Sequence, residues 1–65
     1  MNGLFKKHHK IQIAGLKSKP QWNGIEGTII DDYNFKKERW PILIDKPINK
    51  YVLIKSINLK PIQLN

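Results

Sequence analysis

The chain has 65 residues, no cysteine and a net charge of +7 with histidine neutral. So short a chain is one domain near the lower limit of independent folding, without a disulfide staple or a thiolate zinc site. An enzyme with a deep pocket needs more walls than these residues supply, which leaves a binding module as the expectation.

Residues 1–8, MNGLFKKH, are polar and basic apart from Leu4 and Phe5, and read as an arm ahead of a domain over 9–65. Period-two alternation begins next. Residues 10–14 place Ile11 and Ile13 on one face of a first strand. Residues 15–24 collect glycine, serine, proline and asparagine and form a loop. A second strand over 27–33 is rich in β-branched residues. After the polar connection 34–38, a third strand over 39–45 puts Trp40, Ile42 and Ile44 on one face. Pro41 cannot donate to a ladder, so its end of the strand is expected at an edge or a bulge.

Residues 45–49 carry turn chemistry, and 50–55 return as a fourth strand with Tyr51 on its polar-alternate face. Residues 56–59 fit one short helical turn capped by Ser56, and 61–64 a short last strand. No helical periodicity extends over ten residues. The expected fold is all-β: a five-stranded barrel with one short helical turn before the last strand.

The order Gly15-Leu16, Pro20, Asn23-Gly24, Gly27 and Ile29, then Arg39-Trp40, Leu53-Ile54-Lys55 and Asn58-Leu59, carries a resemblance. Over residues 10–61 the chain resembles a small SH3-like barrel module of algal and protist proteins. That module is often appended to ankyrin repeats, tetratricopeptide repeats or MYND-type fingers, none of which is found within these 65 residues. The resemblance implies an SH3-like barrel and leaves the ligand open. The segment from Gly24 through Gly27 into Thr28-Ile29-Ile30 also resembles the KOW motif, whose barrel contacts RNA or nucleoprotein. The glycines have independent physical reasons. Asn23-Gly24 tolerates positive φ at a sharp reversal, and Gly27 permits a bulge or a close backbone approach.

Metal, cofactor and catalytic readings find little support. His8 and His9 are neighbours that a strand would point to opposite faces, with no carboxylate or thiol beside them. Asp31 and Asp32 are split in the same way. Neither they nor Glu26 has a nucleophile partner among Ser18, Ser56 and Thr28. The expectation is a protein that is not an enzyme and needs no cofactor.

Eleven of the twelve cations are lysine, a solvated point charge that favours sequence-independent attraction to phosphates or acidic partners. The plain alternative is that they only keep the domain soluble. Trp40 reads as core. Trp22, Tyr33 and Phe35 would meet in the groove between the long loop and the second connection, although Trp22 could instead lid the end of the barrel. Lys17, Lys19, Lys36, Lys37 and Arg39 bracket that groove, and Lys6, Lys7 and Lys10 add charge from the arm.

An ordinary proline-rich ligand with a basic anchor needs acids in the first loop, where this chain has lysines. The leading expectation is therefore a polyanionic partner, nucleic acid or nucleoprotein, held by charge and aromatic stacking. An acidic peptide or acidic protein surface would suit the same basic rim. The alternative is a protein-interaction adaptor that receives a peptide or partner domain at the same groove or at an exposed edge near Pro41. A third is a subunit tethered through Leu4 and Phe5. The longest uncharged apolar stretches, Trp40–Ile44 and Tyr51–Ile54, are too short to span a bilayer. Residues 1–10 lack the apolar stretch of a signal peptide, so an intracellular setting, cytoplasm or nucleus, is expected.

Overall fold

The computed structural model describes residues 5–62. Five strands, β1 (Lys10–Ile13), β2 (Glu26–Ile29), β3 (Trp40–Ile44), β4 (Tyr51–Ile54) and β5 (Leu59–Pro61), form one antiparallel sheet in the order β4-β3-β2-β1-β5. The first four form a meander, and the last returns beside the first. The described residues are all-β apart from two short 3-10 turns, at Pro20–Trp22 and Ser56–Asn58. None of the described helices is long and apolar enough to cross a membrane.

Alternation decides which face is buried. Ile11, Ile13, Ile29, Ile42 and Ile44 have no solvent exposure, and Trp40, Ile54 and Leu59 join them. β-branched side chains suit these positions because they lose little rotamer freedom on a pleated surface. The opposite face carries Thr28, Ile30, Pro41, Leu43, Tyr51 and Leu53, paired in part as Thr28 with Leu43, Leu43 with Tyr51 and Pro41 with Leu53. Lys10 of β1 and Asp45, one residue past the end of β3, form an ion pair at 2.8 Å across β2.

Phe5, which the sequence sets in the arm, is buried and meets Trp40 edge-on with ring centroids 6.1 Å apart. The His8 N–H donates to the Ile29 carbonyl, and the Ile29 N–H donates to the His9 carbonyl at 2.9 Å. His8 and His9 are thus fixed to the end of β2 at Ile29, and a turn closed by the His9 N–H on the Lys6 carbonyl at 3.1 Å precedes β1. Leu4, the other half of the expected tether, lies outside the described residues.

Four expectations need correction. The last strand starts at Leu59 and not at Pro61, because Leu59 pairs with Ile13 and is needed in the core; residues 63 and 64 of the expected strand lie outside the described residues. Ser56 does not cap its turn; its hydroxyl accepts the Trp40 indole N–H at 3.1 Å. The second strand ends at Ile29, where the Asp31 carboxylate accepts the Asp32 N–H at 2.8 Å and bends the chain. Pro41 lies in β3, an interior strand, so no exposed edge runs there. Its missing donor would face Ile30, one residue past the end of β2, and the Pro41 carbonyl still accepts the Ile30 N–H at 3.0 Å. The proline costs no bond within the β2 ladder.

Gly27 explains itself by packing. An added Cβ would lie 2.8 Å from the Leu43 carbonyl oxygen and 2.9 Å from Ile42 Cγ2. Only glycine lets β2 and β3 approach so closely, which is the close backbone approach expected of it.

Candidate functional site

The loop between β1 and β2 is built by its own polar groups. Gly15 and Gly24 take positive φ of 72° and 90°. Asn23 keeps a φ of −63° and uses its side chain instead. Its Oδ1 accepts the Leu16 N–H at 2.8 Å and its Nδ2 donates to the Leu16 carbonyl at 3.1 Å. Pro20 opens the 3-10 turn, and the Trp22 N–H donates to the Lys19 carbonyl at 3.0 Å. Leu16 and Trp22 are held partly buried against the core, with the Lys19 ammonium 5.5 Å from the centre of the Trp22 ring.

This loop forms one wall of an open groove of about 450 Å³. The other wall is β4 from Val52 to Ile54, continued by Lys55, Ile57 and Asn58. Asn58 fixes the groove's end to β1. Its carbonyl accepts the Ala14 N–H at 3.0 Å, and its Nδ2 donates to the Ala14 carbonyl at 2.9 Å. Leu16, Trp22, Val52, Leu53 and Ile57 supply apolar lining, and Ile57 is 86% exposed. Lys17, Lys19, Arg39 and Lys55 supply charge, and no carboxylate lines the groove among the described residues. A ligand here meets attraction from four cations and no opposing acid.

The eight candidate residues fall into two groups. Lys17, Lys19, Trp22 and Arg39 share the groove. Tyr33, Phe35, Lys36 and Lys37 belong to the second connection and do not line it. Tyr33 meets Phe35 edge-on at 4.9 Å and Trp40 at 5.2 Å, so the rings of Tyr33 and Phe35 come together without Trp22. Phe35 is 81% exposed at the tip of the connection, next to the exposed Lys36 and Lys37.

Arg39 joins the two regions. Asn34 and Arg39 exchange backbone hydrogen bonds at 2.8 and 3.2 Å, and the Arg39 guanidinium donates to the Lys37 carbonyl at 2.8 Å. Glu38, at a φ of 57°, turns the chain between them.

Sequence reasoning did not single out Leu16, Leu53, Lys55 and Ile57 as lining residues. An isoleucine between Ser56 and Asn58 in a polar turn was the available signal, since nothing in such a turn requires a large apolar side chain. No group of three or more acids and histidines is arranged to hold a metal among the described residues. Comparisons with protein-family models, with curated proteins and with solved structures return no match.

Proposed function

We propose that the chain is a non-catalytic SH3-like barrel module that binds a polyanionic partner along the groove between the β1–β2 loop and β4. The observation that carries this reading is the rim of Lys17, Lys19, Arg39 and Lys55 without a carboxylate. The barrel reading is supported by the meander, the return of β5 beside β1 and the 3-10 turn between β4 and β5. It is supported too by the fully buried isoleucines. No second layer of strands or long helices covers that face among the described residues, which favours a sheet curled over it.

Nucleic acid or nucleoprotein was the first expectation for the partner. The groove tempers it, because each stacked base needs an aromatic face and Trp22 is the only aromatic lining the groove among the described residues. An acidic protein segment meets the same cations and also has apolar side chains to place against Leu16, Leu53 and Ile57. That aliphatic lining favours the adaptor reading at the same site.

Fluorescence anisotropy with labelled single-stranded RNA, double-stranded DNA and an acidic peptide tests the common element. Binding at about 50 mM salt should weaken steeply by about 200 mM, as counterion release requires. A Lys17→Glu/Lys19→Glu variant should lose it. Absence of binding to every probe at low salt, or binding unchanged in the charge-reversed variant, overturns the proposal.

A further inference from the structure

The two edges of the sheet are treated differently by the sequence. Gln12 faces Lys60, and the Ala14 and Ile62 N–H groups bond across the same pair of strands, so even-numbered residues make the β1–β5 ladder. The outward backbone groups of β5 belong to Leu59 and Pro61. Pro61 has no N–H, and Lys60 on the same strand is exposed; this edge is blunted against further pairing.

In β4 the Ile44 N–H donates to the Lys50 carbonyl at 2.8 Å, which sets even-numbered residues toward β3. Tyr51 and Leu53 therefore turn both N–H and C=O outward, with no backbone partner among the described residues. The strand Tyr51-Val52-Leu53-Ile54 contains no charge and no proline. Tyr51 is 72% exposed and Leu53 is 41% exposed.

This open edge is also one wall of the basic groove. We infer that β4 receives an extended acidic peptide as a sixth strand, a proposal that rests on reading the groove as a polyanion site. The alternating donors and acceptors of Tyr51 and Leu53 match a peptide backbone. A phosphate backbone offers acceptors only at its repeating charged groups, so it cannot match the alternating donors and acceptors of the edge as a peptide backbone does. A peptide laid on the edge brings its apolar side chains to Leu16, Leu53 and Ile57. Its carboxylates meet Lys17, Lys19 and Lys55. A second copy of the chain is the poorer occupant, because it brings another net charge of +7 to the same place.

The test uses a soluble peptide of about ten residues that alternates glutamate with valine or leucine, and two N-methylated derivatives of it that are isomers of each other. One isomer is N-methylated at every amide on the edge that would face β4, the other at every amide on the opposite edge. Charge and side chains are the same in all three. The expected result is that one isomer binds about tenfold or more weakly while the other matches the parent, as loss of two backbone hydrogen bonds predicts. Hydrogen exchange followed by NMR should show the Tyr51 and Leu53 amides newly protected by the parent peptide.

Equal binding by both isomers, with Tyr51 and Leu53 unprotected, overturns strand addition and leaves charge-driven binding in place. Single-stranded RNA binding where no peptide does overturns it in favour of nucleic acid. Failure of every probe removes the underlying reading as well.

Discussion

Asn23 grips Leu16 at two points, accepting its N–H at 2.8 Å and donating to its carbonyl at 3.1 Å. The clamp spans seven residues of an otherwise irregular loop and fixes the wall that holds Trp22 and Lys19. Both bonds are solvent-exposed, so each contributes at the low end of about 0.5–1.5 kcal/mol. Asn23→Ala should lower stability by about 1 kcal/mol and weaken polyanion binding several-fold through loss of preorganisation. Thermal melts read the first effect and anisotropy the second. A variant with a full stability loss and unchanged binding would show that the clamp serves folding alone.

Gly24 and Gly27 separate two uses of glycine. At Gly24, φ is 90° and nothing lies within 4 Å of an added Cβ, so Gly24→Ala carries only a backbone cost of about 1 kcal/mol. At Gly27 the φ is unremarkable, and the Cβ would strike the Leu43 backbone. Gly27→Ala must push β3 away from β2, with an overpacking cost of about 1–3 kcal/mol. Chemical denaturation should therefore rank Gly27→Ala as the more damaging. The reverse order would mean that the two strands separate easily.

Much of this was legible along the chain. The four strands of the meander were readable because alternation and β-branching agree there, and Gly27 because a β-rich run begins on a residue with no side chain. The start of the fifth strand was set two residues late because Pro61 suggests a boundary. Only the pairing of Leu59 with Ile13 shows that the proline is tolerated with its ring nitrogen turned outward. The groove was half legible. Lys17, Lys19 and Trp22 lie on one loop, and local sequence groups them. Leu53, Lys55 and Ile57 join them only through long-range packing, which no short-range pattern encodes. Pro41 misled for the same reason: where β2 ends is a tertiary fact.

Ser56 and Trp40 make a further local test. The indole N–H of a buried tryptophan donates to the Ser56 hydroxyl at 3.1 Å. Ser56→Ala removes that acceptor and should cost about 1 kcal/mol. Ser56→Thr retains the hydroxyl and should recover part of the loss. An alanine variant as stable as the parent would show that water replaces the hydroxyl fully.

The Lys10–Asp45 pair is 2.8 Å long, with both side chains 39% exposed. Side-chain entropy and solvent screening offset most of the attraction, so Asp45→Asn should change stability by less than about 1 kcal/mol. High salt should shrink the difference further. A larger, salt-insensitive loss would show that the Asp45 carboxylate does more than pair with Lys10.

Phe5 gives the largest expected effect. It is buried against Trp40 although it belongs to a segment whose composition suggests a loose arm. Truncating a buried phenylalanine removes its transfer energy and leaves a cavity, for a usual cost of about 3–5 kcal/mol. The site lies at the margin of the core, where the chain can collapse, so the low end of that range applies. Total stability of an average domain is only about 5–15 kcal/mol, and a chain this small is expected near the bottom of it. Phe5→Ala should therefore populate unfolded chain at room temperature, seen as a red shift of Trp40 emission and loss of amide dispersion. Phe5→Leu, which keeps most of the apolar volume, should restore the fold. A Phe5→Ala protein that melts like the parent would mean that residues 5–8 contribute nothing to the core and are free to serve as an arm.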